Sequence, residues 1–301
     1  MINFKCRSCG AEMSVSRTGD LCCSYCGSKS VFTDSELREY KEFRYRMLSY
    51  LSTISDHADP AETDRIWRNA ETEALTLSDG RPLRIAYLFK GMQDGVTVYT
   101  ARRNVLFVFP KEENAGSERF SAMTGMLSYP SADIKKLSQF FPVIVGRFEL
   151  DDGRVLLSVS KEEELYPLSA FGSLPPEHTA WVVSRLENIC CVLAYSGLSH
   201  RGIDPESVFI NARTHQAYLL GGWWHASVRD GGDRQDLLEL RAVARRTVGI
   251  QYEEAPAEFR RFITDPPAEN AFDDFSLWDQ VIETGFHGRV YRKLDLSRLQ
   301  F

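Results

Sequence analysis

Residues 198–210 read Leu198-Ser199-His200-Arg201-Gly202-Ile203-Asp204-Pro205-Glu206-Ser207-Val208-Phe209-Ile210. A short polar loop containing Pro205 and Glu206 runs here into an apolar, β-branched stretch. Upstream, residues 177–196 repeat apolar side chains at helical spacing, so the loop follows an amphipathic helix. About ten residues downstream comes Tyr218-Leu219-Leu220-Gly221-Gly222-Trp223-Trp224. Next, Asp236-Leu237-Leu238-Glu239-Leu240 opens another helical stretch. After residue 176 the sequence is mostly helical, over 177–196, 233–248, 256–264 and 272–284.

The chain before the loop follows a different pattern. Asp-Gly occurs at 79–80, 94–95 and 152–153, each time between apolar or β-branched runs, a strong hairpin signal. The flanking segments 83–89, 96–101, 105–109, 143–150 and 155–159 predict an antiparallel sheet. One helical stretch, near 117–139, interrupts it. Together the two halves are an α+β domain over 75–301. Ahead of it, Thr33-Asp34-Ser35-Glu36 is a capping box, and Leu37, Tyr40, Phe43, Met47, Tyr50, Leu51 and Ile54 follow at helical spacing. This predicts a helix over 34–54, with a second over 61–74 carrying Trp67, so residues 33–74 connect two domains.

The first 32 residues form the other domain. Cys6-Arg7-Ser8-Cys9-Gly10 and Cys23-Ser24-Tyr25-Cys26-Gly27 repeat one pattern, two thiols in a tight turn followed by glycine. Two such turns complete a four-sulfur tetrahedral shell suited to one structural Zn²⁺, with no position left for catalysis. The ligands expected are Cys6, Cys9, Cys23 and Cys26; Cys22 is an alternative to Cys23 but breaks the two-residue spacing. The pattern resembles zinc ribbons. Five of seven cysteines lie in the first 26 residues, which reads as a metal site in a reducing, cytoplasmic setting rather than a disulfide framework. Only Lys5, Arg7, Arg17 and Lys29 supply cations here, and the chain carries net charge −6. Nucleic acid is therefore a poor partner, and protein contact is the better expectation. No apolar run approaches the roughly 20 residues of a membrane span.

The 198–210 stretch resembles the catalytic loop of protein kinases, H-R-D-L-x-P-E-N-[VI]-L-[IL]. The 218–224 stretch falls where the kinase D-F-G segment lies. Asp236 matches the aspartate that anchors the loop backbone. The chain is similar to bacterial kinase-like proteins with an N-terminal zinc ribbon. The resemblance implies a bilobal domain, with a sheet lobe followed by a helical lobe.

Its departures bear on function. Phosphoryl transfer needs a base, ligands for Mg²⁺ and cations on the phosphates. Gly202 stands at the catalytic aspartate, Ser207 at the Mg²⁺-binding asparagine, Gly221 at the D-F-G aspartate and Val108 at the strand lysine. Asp204 reverses the charge expected beside the transferred phosphate, Lys111 lies beyond Pro110, and 90–95 lacks the three-glycine pattern. The expectation is a pseudokinase, catalytically inactive, binding no ATP–Mg²⁺ and acting as a scaffold or regulator for a protein partner. His200 is expected as a buried scaffold residue. Trp223 and Trp224 either fill the vacated space or form an exposed anchor. The run 161–166 is expected as a solvated connection, and Cys190 and Cys191 as core. The alternatives are an atypical kinase or nucleotide-transferring enzyme rebuilt around Asp204, Glu206, Asp230 and Asp233, or a nucleic-acid accessory protein acting through the ribbon.

Overall fold

The computed structural model describes residues 2–6, 8–15, 18–52, 60–132, 134–230, 234–289 and 292–301. Arg7, Arg17, Ile54 and Asp233, named above, lie outside them, as do the side chains of Lys5, Tyr40, Phe43, Met47, Tyr50 and Leu51.

Two small hairpins open the chain. Strand β1 (Ile2–Lys5) pairs with β2 (Glu12–Val15), and β3 (Gly19–Cys22) with β4 (Lys29–Phe32). Phe4, Met13, Val15, Phe32 and Leu37 form a miniature core beside Cys6 and Cys23. Leu37 belongs to helix α1 (Asp34–Ser52), which starts at the expected capping box: Glu36 N donates to Thr33 Oγ1 and Thr33 N to Glu36 Oε2. Further along α1, Leu48 packs on the main core, so one helix touches both modules.

Helix α2 (Pro60–Trp67) is shorter than the helix expected to 74. Residues after Ala70 instead form β5 (Glu71–Thr76), because pairing with β6 (Pro82–Gln93) outweighs helical propensity. Strands β7 (Val96–Ala101) and β8 (Asn104–Phe109) continue the antiparallel sheet. Helix α3 (Asn114–Gly125) follows, and a separate 3₁₀ segment, Ile134–Phe140, replaces the end of the single helix expected over 117–139. The turn between them contains Pro130, which disfavours helix at the residue before it. Strands β9 (Val143–Glu149) and β10 (Val155–Ser160) complete a six-stranded sheet in the order β5-β6-β7-β8-β10-β9. All three expected Asp-Gly turns are present within it.

The sheet has two covered faces. Its ends curl together at a Leu77–Leu150 bridge, with Ser78 N donating to Glu149 O at 2.9 Å. This encloses Leu75, Ile85, Tyr87, Tyr99, Leu106, Val108 and Leu156. The opposite face, with Val105, Phe107, Phe109 and Leu157, joins the large core shared with the second lobe. Burial on both faces explains why 105–109 shows no alternation.

The second lobe begins at β11 (Leu165–Pro167) and is built on helix α4 (Pro176–Ser196). Strand β12 (Leu198–Ser199) leads into the loop, followed by β13 (Val208–Asn211), β14 (Gln216–Leu219) and β15 (Ser227–Val228). Helices α5 (Arg234–Val248), α6 (Ala257–Thr264) and α7 (Ala271–Gly285) complete it, close to their expected limits. Cys190 and Cys191 are buried in α4 as core residues. The molecule is thus an α+β chain with a cysteine-bearing N-terminal module, a sheet lobe and a helical lobe.

Residues 161–166 connect the lobes; Lys161, Glu164, Leu165 and Tyr166 are buried and only Glu162 is exposed, a partial correction to the solvated connection expected. Lys161 donates to the carbonyls of Arg102 and Glu162, both at 3.0 Å, and its ammonium lies 5.6 Å from the Trp67 ring centre. Thr63 donates to Glu164 at 2.7 Å, and Arg213 pairs with both Glu62 and Glu164. Helix α2 therefore covers this connection with matched charges. Burial pushes Lys161 down to about 7.

Candidate functional site

Cysteine spacing and backbone together build the N-terminal cluster. In each turn a glycine amide bonds back to the first cysteine carbonyl, Gly10 to Cys6 and Gly27 to Cys23. Both glycines lie in the left-handed region, at φ of 73° and 72°. The Sγ atoms of Cys6, Cys9, Cys23 and Cys26 all lie within 4.8 Å of one another. The Cys6–Cys26 and Cys9–Cys23 separations are 3.7 and 3.9 Å. A tetrahedral shell with Zn–S bonds of about 2.3 Å has edges of about 3.8 Å, so the four thiols fit a metal such as zinc. Amide groups of Ser8 and Cys9 hold the Cys6 thiol below its ordinary range. Cys22 lies outside the cluster, its thiol donating to Gly27 O at 3.0 Å, and Cys23 lies within it.

The second site is the loop of residues 198–207 and the segment facing it. Asp236, at the start of α5, anchors the loop as expected. Its Oδ1 accepts from Ser199 Oγ, His200 N and Arg201 N at 3.1, 2.9 and 3.1 Å. Glu239, one turn along, accepts from Ile203 N at 2.9 Å; the sequence reading missed it, although the i, i+3 spacing puts both acids on one helix face. His200 is fully buried, its ring edge-on to Trp223 at 4.8 Å. Trp223 and Trp224 are 0% and 6% exposed, so they fill space and do not form an anchor. Trp223 donates to Leu219 O at 3.0 Å, and Trp224 packs on Phe107, Phe109 and Phe120.

The degenerate positions come together, with one exception. Gly202 faces the Gly222 turn and His225, and Gly221 faces Ser207 and Gln93. A side-chain carbon at 202 would meet Gly222 O at 3.1 Å, and one at 221 would meet Ser207 Cα at 2.9 Å. Gly222 has φ of 75°, and a side chain there would strike Gly202 O at 2.6 Å and His200 at 2.7 Å. Ser207 is used within its own turn: its hydroxyl accepts from Asp204 N at 2.9 Å and its amide donates to Asp204 Oδ1 at 2.6 Å. Burial raises the Asp204 carboxyl above its ordinary range. Glu206 pairs with Arg246 at 3.1 Å.

The exception is Val108, which lies in the enclosed core on the far side of the sheet. The residue of β8 that faces helix α3 and Trp224 is Phe107, 5.3 Å from Phe120. The uninterrupted apolar run of β8 carried no signal of which face was which. Lys111 is exposed and packs along the turn at Gly153.

The tip of the β6–β7 hairpin closes over the glycines. Gln93 lies beside Gly221, and Asp94 pairs with His225 at 3.0 Å. Between the lobes a cleft of about 310 Å³ remains, lined by Phe89, Lys90, Val98, Ala170, Glu206 and Phe209.

No family model matches the chain, and no curated protein matches it. Solved structures of protein kinase domains do resemble it. The ROP18 kinase domain in complex with AMP-PNP and sucrose shares 12% identity, covering 79% of this chain and 93% of that one, with a TM-score of 0.43. Vaccinia related kinase 3 shares 15%, covering 78% and 86%, at 0.45. A rhoptry kinase from Toxoplasma gondii shares 10%, covering 71% and 83%, at 0.46. Among the described residues no helix is long and apolar enough to cross a membrane.

Proposed function

We propose that the chain is a catalytically inactive, kinase-like protein that binds another protein, with one structural Zn²⁺ on Cys6, Cys9, Cys23 and Cys26. The observation that carries this reading is the backbone packing at Gly202, Gly221 and Gly222. A base and a metal ligand at the first two positions need open space beyond Cα, and that space is filled by Gly222 O, Ser207 and Gln93. Nor does the surrounding chemistry substitute. On β8 both Phe107 and Val108 are buried and apolar, so neither position offers a cation to a phosphate. Asp204 is bonded within its own turn, and Glu206 is committed to Arg246. The four-thiolate shell has no open position, so it supplies rigidity without reactivity.

Exposed apolar residues support the binding role. Tyr25 and Val31 on the ribbon and Tyr45 on α1 are 83%, 56% and 76% exposed. The inactive reading is tested by thermal denaturation with millimolar ATP and Mg²⁺. No metal-dependent rise in melting temperature is expected, and a rise of several degrees would overturn it. Metal analysis of the purified protein is expected to give one zinc per chain, and absence of zinc would remove that part.

A further inference from the structure

Lys161 is a buried amine at the joint between the lobes. It follows β10 of the sheet lobe and precedes β11 of the helical lobe. Its nitrogen donates to the carbonyls of Arg102, in the β7–β8 turn, and Glu162, and lies 5.6 Å from the Trp67 ring of α2 and 5.9 Å from the Tyr166 ring of β11. Sheet lobe, helical lobe and α2 therefore meet on one side chain. The acids beside it are committed elsewhere. Glu162 accepts from Tyr218 at 3.2 Å, Glu163 pairs with Arg102 and Arg103, both at 2.7 Å, and Glu164 pairs with Arg213 at 3.2 Å. On α2, Glu62 pairs with Arg213 and Asp64 with Arg102. Among the described residues Lys161 itself forms no ion pair.

The donor count favours the uncharged form. An ammonium has three N–H groups, and two carbonyls receive them here. A neutral amine has two, so the site satisfies it fully, while a charged nitrogen lacks a counter-ion and has only the two aromatic faces as a partial offset. We propose that Lys161 is a proton-operated pin: the joint closes on the neutral amine and loosens when the nitrogen takes up a proton and seeks water. Phe89 of the sheet lobe and Ala170 of the helical lobe both line the cleft, so the same proton sets how firmly the cleft walls are held. This goes beyond the inactive reading and does not depend on it. The direction of the response follows from linkage. Burial, offset in part by the charges of Glu163 and Glu162, pushes Lys161 down to about 7, whereas a lysine in water titrates at about 10.4. Between these values opening takes up a proton, so raising the pH favours the closed joint; below them both forms are charged and the dependence vanishes. Carboxylates and guanidiniums do not change charge between pH 7 and 9, and burial holds the Tyr166 phenol above that window.

The test is hydrogen exchange of the full chain at pH 7, 8 and 9, with each rate divided by its intrinsic value. The amide of residue 161, which donates to Arg103 O at 2.9 Å, reports the joint, and that of Leu174, bonded to Thr247 O at 2.7 Å, reports the helical lobe alone. Protection at 161 should rise by up to about tenfold per pH unit while Leu174 stays level. Lys161→Met keeps the length without the charge and should remove the rise. Lys161→Arg is charged throughout and should leave protection low at every pH. A flat parent profile overturns the pin, and so does a rise that persists in Lys161→Met. Where a variant does not fold, ¹³Cε NMR of selectively labelled lysine in the parent decides. A Lys161 signal that titrates in the ordinary lysine range overturns the proposal, and one that titrates near neutrality supports it.

Discussion

His200 shows how one residue type serves a different end in a different setting. An imidazole near solvent and a carboxylate titrates near neutrality, but this one is fully buried against Trp223, and burial pushes it down to about 3. In the folded chain it stays neutral while the unfolded chain takes up a proton near pH 6.5. The folded state thus keeps its full contribution above pH 6.5 and loses it as pH falls toward 3. Urea denaturation from pH 7 to 4 should show the parent losing stability faster than His200→Leu; parallel slopes would show that His200 is not the buried neutral group described. The neighbouring glycines make the complementary point. Restoring carboxylates with Gly202→Asp and Gly221→Asp should not restore phosphoryl transfer. Each added side chain meets backbone at 3.1 and 2.9 Å, so each change should cost about 1–3 kcal/mol. Recovered kinase activity in the stable double variant would show that the space can reopen.

At the scale of elements, what was legible depended on whether local chemistry or long-range contact decided the outcome. The capping box at Thr33 and the three Asp-Gly turns are local signals, and the structure follows them. Strand β5 was misread because 71–76 acquires its form from pairing with β6, which nothing in its own spacing announces. Strand β8 shows no alternation for a related reason: curling of the sheet into a closed ring buries both of its sides. The connection 161–166 is less solvated than expected because Glu164, which looks solvated alone, is matched by Thr63 of α2 and by Arg213 between β13 and β14, while Glu162 stays exposed. A further ion cluster joins the helices of the second lobe. Arg241 of α5 pairs with Asp274 of α7 at 2.7 Å and with Glu187 of α4 at 3.5 Å. Burial and the nearby Asp274 push Glu187 well above its ordinary range. Removing the cation strands two buried acids, so Arg241→Met should cost about 3–5 kcal/mol. Glu187→Gln keeps the shape and sheds a strained charge, and should change stability far less. Equal losses in chemical denaturation would mean that packing, not charge, holds these helices together.

Across the whole molecule, the two modules share a mechanical character. The cysteine shell is closed, the glycine-lined loop is packed backbone to backbone, and the connection between the lobes is held by paired charges. Helix α1 reaches from the ribbon core at Leu37 to the main core at Leu48. Such a body suits presentation of a fixed surface, and among the described residues the exposed aromatic side chains on that path are Tyr25 and Tyr45, whereas Trp223 and Trp224 are inside. Aromatic residues dominate binding energy where they fill a partner's pocket, typically at 2 kcal/mol or more for the few that matter. Tyr25→Ala and Tyr45→Ala should therefore each weaken capture of the proposed protein partner by about tenfold or more while leaving the melting temperature and the metal content unchanged. Exposed positions of the helical lobe, such as Ile250→Ala, should leave capture unaffected and serve as the control. If both tyrosine variants recover the same partners as the parent at the same protein concentration, the binding surface is not on the ribbon and α1. If only the Ile250 variant loses them, it lies on the helical lobe.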